Sequence, residues 1–105
     1  MKGTHASIAR ASRLALALAV MQTESGGNPD AVGPEVNGER AKGFYQLMPG
    51  AANDTGVNRD DPYENIRGGV TYLRGRLDET KGDVAAALRR YHGGGNPRNW
   101  GPKTD

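Results

Sequence analysis

The stretch VMQTESGGNPDAVG, residues 20–33, marks the point where an apolar helical run gives way to a glycine-rich loop. The residues just before it are mostly Ala and Leu, which favour helix, whereas the Gly-Gly-Asn-Pro that follows ends one. Glu24 therefore falls in the last turn of a predicted helix, where unpaired carbonyl groups disfavour a negative charge. Because this position is unfavourable for a structural carboxylate, we expect Glu24 to serve a purpose other than helix stability.

We predict that this first helix covers residues 5–24. Apolar residues at the spacing of one helical face predict a buried face; they are Ile8, Ala11, Leu14, Ala15 and Leu18. At roughly 100° per residue, Glu24 lies close to Ala17 and about 40° from Val20, at the edge of that face.

A long loop is predicted over residues 25–43, because Gly and Pro recur through it. Loops of that length in a small domain are usually functional or disordered. The apolar-aromatic segment GFYQLM follows at residues 43–48. Pro49 suits the first turn of a short second helix that ends near Thr55, with Gly56 as its stop.

The third helix has the clearest boundary signals. Asp61 is suited to the N-cap, Pro62 to the first helical position and Glu64 to the third, which together resemble a capping box. One apolar stripe follows, formed by Ile66, Val70, Leu73 and Leu77. Gly82 ends this helix or opens the next turn.

A fourth helix is predicted over residues 83–92, with Val84, Leu88 and Tyr91 on one face. It stops at Gly93-Gly94-Gly95, and the tail that holds Trp100 consists of turn-forming residues.

Composition limits the possible functions. A chain of 105 residues is long enough for one domain, and 35% hydrophobic and 25% charged residues are typical of a globular protein. The 14 basic residues are scattered and balanced by 12 acidic ones, which argues against a nucleic-acid binder. With no cysteine and two histidines, we expect no metal site and no cofactor.

The N-terminus raises a targeting question. Lys2, Arg10 and Arg13 precede the apolar run LALALAVM, as in a signal peptide. That run is only eight residues long and continues directly into Thr-Glu-Ser, so we assign it to the domain rather than to a signal peptide. No segment approaches the length of a membrane span, and we expect no membrane insertion.

Four short motifs carry candidate functional residues: ESGGNP from Glu24, GFYQLMP from Gly43, ENI from Glu64 and RYHGG from Arg90. Each one alone fits a structural role. Together, in this order, they resemble the soluble-type (SLT) lytic transglycosylase domain, a branch of the lysozyme-like superfamily that cuts peptidoglycan. The resemblance covers roughly residues 8–100, and the C-terminal part is most similar to bacteriophage members found in virion or tail proteins.

The resemblance implies a mainly α, lysozyme-like small helical domain in which a long loop or minimal β element lines a glycan cleft. It also implies cleavage of the β-1,4 bond between N-acetylmuramic acid and N-acetylglucosamine, with a 1,6-anhydromuramic product. The partner would be the glycan strands of peptidoglycan at the bacterial cell wall or periplasm, reached by a virion-associated or released protein.

Glu24 is the expected catalytic acid and base, since an acid must stay protonated near neutral pH and a helix C-terminus disfavours its carboxylate. The remaining expected site residues contact substrate or orient Glu24. Tyr91 would hydrogen-bond Glu24, Tyr45 would stack on a sugar, and Gln46 and the Met48 region would hold the N-acetyl groups and the glycan. Ser25 is expected mainly to cap the turn, with substrate contact as the alternative.

The sequence departs from the family pattern in several places. Phe44-Tyr45 replaces Leu-Met, and His92 replaces the usual Asn, although we keep His92 among the expected site residues. The loop lacks a serine that the family often carries, with Gly33 or Pro34 near that position. Phage relatives usually continue past the position of Asp105, so we expect a single domain over residues 1–105 that is short at its C-terminus.

Two other functions remain open. Glu35 or Glu39 in the loop offers a second carboxylate, which would allow water to attack and would give a hydrolytic muramidase. The His92 replacement and the early chain end are instead compatible with a non-catalytic wall-binding module of a virion.

Overall fold

Four helices in chain order form the domain, and a long loop separates the first from the second. The computed structural model describes the backbone of residues 5–93 and the side chains of residues 10–93. The helices are α1 (His5–Ser25), α2 (Pro49–Thr55), α3 (Pro62–Glu79) and α4 (Val84–Gly93). Over these residues there is no sheet, which confirms the predicted mainly α class. The predictions for the Ile8 side chain, Gly94, Gly95 and Trp100 fall outside the described residues.

Both ends of α2 and the start of α3 follow the predicted signals, whereas α3 ends at Glu79, before Gly82. Pro49 is the first residue of α2, and Gly56 ends it in a left-handed conformation with φ of 68°. Asp61 caps α3, because its Oδ1 atom accepts hydrogen bonds from the backbone N–H groups of Tyr63 and Glu64 at 2.9 and 3.1 Å. The capping box is only half formed, however. The Glu64 side chain accepts from the backbone N–H of Asn58 at 2.9 Å and does not reach back to Asp61.

The core unites the four helices and the segment before α2. Its buried members are Val20, Tyr45, Leu47, Leu73 and Tyr91, and α2 contributes Ala51, which packs against them as a partly buried residue. The predicted stripe of α3 is confirmed, since its other three members pack against this cluster as partly buried residues. The residues of the GFYQLM segment are therefore central to the fold.

The predicted buried face of α1 is wrong. Leu14 and Leu18 are 63% and 51% exposed, whereas Ala17 and Val20 are buried. Leu16 and Met21 pack against the core beside them. The sequence permits either face, because nearly every residue from 14 to 21 is apolar, and the periodicity alone cannot choose between them.

One residue of α4 also differs from the prediction. Tyr91 is 7% exposed and Leu88 packs against the core, as expected, but Val84 is 45% exposed. Ala87 is fully buried at the contact between α3 and α4. A small residue at that contact lets the two helices approach closely.

The long loop contains the minimal β element that the sequence predicted. Three isolated antiparallel bridges join Val32 to Lys42, Val36 to Glu39 and Lys42 to Leu47. The narrow turn at Asn37 and Gly38 has positive φ at both residues, 53° and 82°, as in a two-residue hairpin turn. These bridges fold the loop back on itself and bring it to the segment before α2.

Candidate active site

Glu24 lies on the buried side of α1, in its last turn. It follows Val20 by one helical turn and Ala17 by two, and both of these residues are buried. The helix ends directly afterwards, where Gly26 adopts a φ of 64° and donates its N–H to the carbonyl of Gln22 at 2.9 Å. The Glu24 side chain is 13% exposed, so it lies at the edge of the core and keeps limited contact with solvent.

Two buried tyrosines connect this end of α1 to the rest of the core. The hydroxyl of Tyr91 donates to the carbonyl of Tyr45 at 2.8 Å, and the hydroxyl of Tyr45 donates to the carbonyl of Ala17 at 2.8 Å. Burial raises the pKa of Tyr91 far above its usual value, and the charges of Glu24 and Tyr45 raise it further. Burial also raises the pKa of Tyr45. Both hydroxyls are therefore neutral donors throughout the ordinary pH range.

The structure changes the role predicted for Tyr91. The pKa of Tyr91 is raised in part by the charge of Glu24, so the two groups interact electrostatically. Its hydroxyl hydrogen, however, goes to the carbonyl of Tyr45 and not to Glu24. Tyr91 thus tethers the GFYQLM segment, and its ring packs edge-on against Tyr72 with centroids 5.2 Å apart.

The predicted stacking of Tyr45 on a sugar is not compatible with its burial. Only 2% of Tyr45 is exposed, and its hydroxyl is held inside the domain by Ala17. Neither face of the ring is available to a ligand in this arrangement. Tyr45 is a core residue with a satisfied hydroxyl.

Gln46 braces the loop from within. Its backbone has a positive φ of 50°, and its side-chain nitrogen donates to the carbonyls of Ala31 and Gly43, both at 3.0 Å. Its side-chain oxygen lies next to Gly33, where an added Cβ would stand 3.0 Å away. These two bonds use both amide hydrogens of Gln46. A glycan contact through its side-chain oxygen remains a prediction.

Ser25 has the capping role that the sequence favoured. Its hydroxyl donates to the carbonyl of Met21 at 3.1 Å and accepts from the N–H of Gly27 at 3.2 Å. Met48 is partly buried and directly precedes α2. A glycan contact at Met48 stays a prediction.

His92 contacts the candidate acid directly. Its Nδ1 atom lies 3.5 Å from Oε2 of Glu24, although the two residues are far apart in the chain. The His92 side chain is 48% exposed and is the more exposed of the two partners. The residue that departs from the family pattern is therefore part of the site.

Asn65 is the residue of the ENI motif whose role the sequence left unassigned, and its contacts are structural. It is completely buried. Its oxygen accepts from the N–H of Tyr45 at 2.8 Å, and its nitrogen donates to the carbonyls of Lys42 and Arg59, both at 2.9 Å. The ENI motif itself was the available signal, but the hydrogen-bond partners of Asn65 could not be read from it.

Two glycines of α3 were missed by the sequence analysis. A Cβ added at Gly69 would stand 2.1 Å from Cγ of Tyr45, and one at Gly68 would stand 2.7 Å from Cγ2 of Val57. These glycines let the GFYQLM segment press directly against the helix backbone. Adjacent glycines in a strongly patterned helix are the signal that indicates such close packing.

The two loop carboxylates considered for hydrolysis are both exposed. Glu35 and Glu39 flank the narrow turn of the loop.

Among the described residues, no group of three or more potential ligands could hold a metal ion. In that same part of the chain, no helix has the length and apolar character needed to cross a membrane.

Comparison with known proteins decides the family. The model of the Transglycosylase SLT domain matches residues 4–105, nearly the entire chain. The chain belongs to this family. The SLT domain described here is also similar to a protein of Enterobacteria phage PRD1 named "Transglycosylase", with 50% identity over 90 residues. No solved structure gives a significant match to the chain.

The family assignment and its phage connection, both predicted from the motifs, are thus confirmed. The aligned region covers 85% of the SLT domain chain but 32% of the phage protein. The chain therefore spans about a third of the length of that relative.

Proposed function

We propose that this SLT domain cleaves the β-1,4 bond between N-acetylmuramic acid and N-acetylglucosamine in peptidoglycan and leaves 1,6-anhydromuramic ends. Glu24 acts first as general acid and then as general base. The observation that carries this proposal is the placement of Glu24, whose side chain is 13% exposed at the C-terminal end of a helix, beside the buried Tyr91. At this position the carboxyl group of Glu24 has limited contact with solvent.

In the first step the carboxylic acid of Glu24 gives its proton to the oxygen that bridges the two sugars. The bond from that oxygen to C1 of the muramic acid breaks as the sugar ring gains positive charge. The N-acetyl group of the same sugar is suited to stabilise this charge. Glu24 is left as a carboxylate.

In the second step the Glu24 carboxylate removes a proton from the 6-hydroxyl of the same sugar. The 6-oxygen then bonds to C1, which closes the anhydro ring and returns Glu24 to its acid form. No water is consumed. One carboxylate is sufficient for the cycle, which agrees with the exposed positions of Glu35 and Glu39.

The surrounding residues hold the acid and the loop in place. Tyr91 and Tyr45 tie α1, the GFYQLM segment and α4 together through hydrogen bonds of 2.8 Å. Gln46 closes the loop with its amide nitrogen and offers its side-chain oxygen to the N-acetyl groups. The Met48 region borders the same segment. We place the activity at the bacterial cell wall, within a larger phage-type protein.

The test compares the parent protein with Glu24→Gln on purified sacculi. Gln keeps the shape of the side chain but has no proton to give, so the rate of turbidity loss should fall at least about a hundredfold. Asp54→Asn, a similar change at an exposed position of α2, serves as control and should clear sacculi at the parent rate.

Mass spectrometry of the released fragments identifies the reaction. Anhydromuramic ends support the proposal, whereas reducing ends would mean hydrolysis with a loop carboxylate as base. Binding to sacculi with no released fragments would identify a non-catalytic wall-binding module. Equal clearing by the parent and Glu24→Gln would place the acid at another residue.

A further inference from the structure

The contact between His92 and Glu24 joins two helix ends. Glu24 is in the last turn of α1 and His92 in the last turn of α4, and their side chains meet with Nδ1 and Oε2 3.5 Å apart. His92 is the more exposed partner, at 48% against 13%. One oxygen of the candidate acid therefore has a protein partner at the mouth of the site.

An imidazole is suited to an acid that changes its protonation state twice in a cycle. A neutral ring donates from Nδ1 when its proton is there, and accepts at Nδ1 when its proton is on Nε2. The ring can thus pair with Glu24 whether Glu24 is a carboxylate or a carboxylic acid. An Asn side chain also offers both a donor group (NH2) and an acceptor (the carbonyl oxygen), whereas an apolar side chain offers neither.

We propose that His92 is a positioning residue for Glu24, which holds Oε2 in both protonation states and leaves Oε1 to exchange the proton with the glycan. This inference rests on the acid–base role proposed for Glu24. In this role the histidine that replaces the family's usual Asn takes part in the reaction. The role differs from the substrate contact expected for His92 from the sequence.

The neighbouring ionisable groups do not replace His92 in this role. The charge of Glu24 acts on Tyr91, whose hydroxyl donates to the carbonyl of Tyr45, and burial raises the pKa of each tyrosine above its usual value. Both stay neutral between pH 5 and 8. On α4 itself, Arg89 and Arg90 directly precede Tyr91 and His92, and both arginines are present in the parent and in every variant compared. A change in pH profile on replacing His92 therefore reports on the imidazole.

The test measures kcat and KM on soluble glycan oligomers with alternating N-acetylglucosamine and N-acetylmuramic acid. His92→Leu should lower kcat about tenfold with KM unchanged, because a hydrogen bond to a charged group is lost. His92→Asn should restore most of kcat, and its activity profile between pH 5 and 8 should differ in shape from the parent profile. His5→Asn is the matched control and should keep the parent profile, since His5 begins α1 roughly 28 Å from Glu24 along the helix.

Parent-like kcat in His92→Leu would overturn the inference while leaving the proposed function intact. A loss confined to KM would also overturn it, since His92 would then bind substrate. The imidazole nitrogen NMR shifts of His92 supply a readout without turnover. They should change in Glu24→Gln and stay unchanged in Asp54→Asn; unchanged shifts in Glu24→Gln would overturn the contact itself. A parent that releases no fragments would refute the proposed function and, with it, the role of His92 in the reaction.

Discussion

The side-chain oxygen of Asn65 accepts a hydrogen bond from the backbone N–H of Tyr45 at 2.8 Å, from a position that is completely buried in α3. The same side chain donates to the carbonyls of Lys42 and Arg59. One amide thus satisfies three backbone groups around the GFYQLM segment. This segment in turn carries Tyr45, which bonds to Ala17 of α1, and Gln46, which bonds to Ala31 in the loop.

Replacing Asn65 with Ala should destabilise the domain by about 3 kcal/mol or more, because three buried backbone groups lose their partner. For a domain of this size that corresponds to a fall in melting temperature of about 10 °C or more. Asn53→Ala, at an exposed position of α2, is the control and should change the melting temperature by little. Similar melting temperatures for the two variants would contradict the role assigned to Asn65.

The two glycines at positions 69 and 75 should respond to Ala in opposite directions. An added methyl group at Gly69 would meet the Tyr45 ring at 2.1 Å, so Gly69→Ala should cost about 2 kcal/mol or more through forced repacking. At Gly75 no atom lies within 4 Å of the new Cβ. Gly75→Ala should therefore stabilise α3 by about 0.5 to 1 kcal/mol, from helix propensity alone. Urea unfolding of both variants checks the sign of each change.

The buried face of α1 can be tested with two substitutions to Ala. Val20→Ala should cost about 1 to 2 kcal/mol, because Val20 is a member of the core cluster. Leu18→Ala should stay within about 0.5 kcal/mol of the parent, since Leu18 is half exposed. Thermal unfolding distinguishes them, and a larger loss at Leu18 would restore the face that the sequence predicted.

Tyr91 should make the stability of the domain depend on pH above 10. Burial raises the pKa of Tyr91, so its hydroxyl keeps its proton in the folded state while the unfolded chain loses it above its usual value of 10.0. Unfolding then releases a proton, and stability falls as pH rises, by about 1.4 kcal/mol per pH unit for this group. Below pH 10 the contribution is fully present.

Tyr91→Phe should remove that contribution, so its stability should fall less steeply than the parent's between pH 10 and 11. At neutral pH the same change should cost about 1 kcal/mol, because the carbonyl of Tyr45 loses its donor. Tyr63→Phe is the control, as Tyr63 is 84% exposed, and it should keep the alkaline slope of the parent. Identical slopes for all three proteins would show that Tyr91 does not stay protonated in the fold.

Local signals in the chain predicted most of the secondary structure. Pro49, Gly56 and Asp61 mark helix ends as expected, because turn and capping preferences depend on neighbouring residues only. Ser25 caps the turn after α1 for the same reason. The stripe of α3 was also correct, since its apolar residues are separated by polar ones that leave a single face to bury.

The sequence failed where several arrangements satisfied the same pattern. In α1 the run from Leu14 to Met21 is apolar on more than one side, so the buried face depends on what packs against it. Tyr45 was expected at a sugar, but the absence of a side chain at Gly69 leaves room for its ring in the core. That contact links residues more than twenty positions apart, and no local preference reveals it.

By itself, the sequence determined the four helices, the family and the candidate acid, because these depend on short-range chemistry and on motifs that are contiguous in the chain. Only the tertiary structure decided which side of α1 is buried, where the Tyr91 hydroxyl donates, and that His92 meets Glu24. These features depend on how segments that are distant in the chain pack together and on which hydrogen-bond partners that packing brings within reach. Local sequence preferences do not specify either.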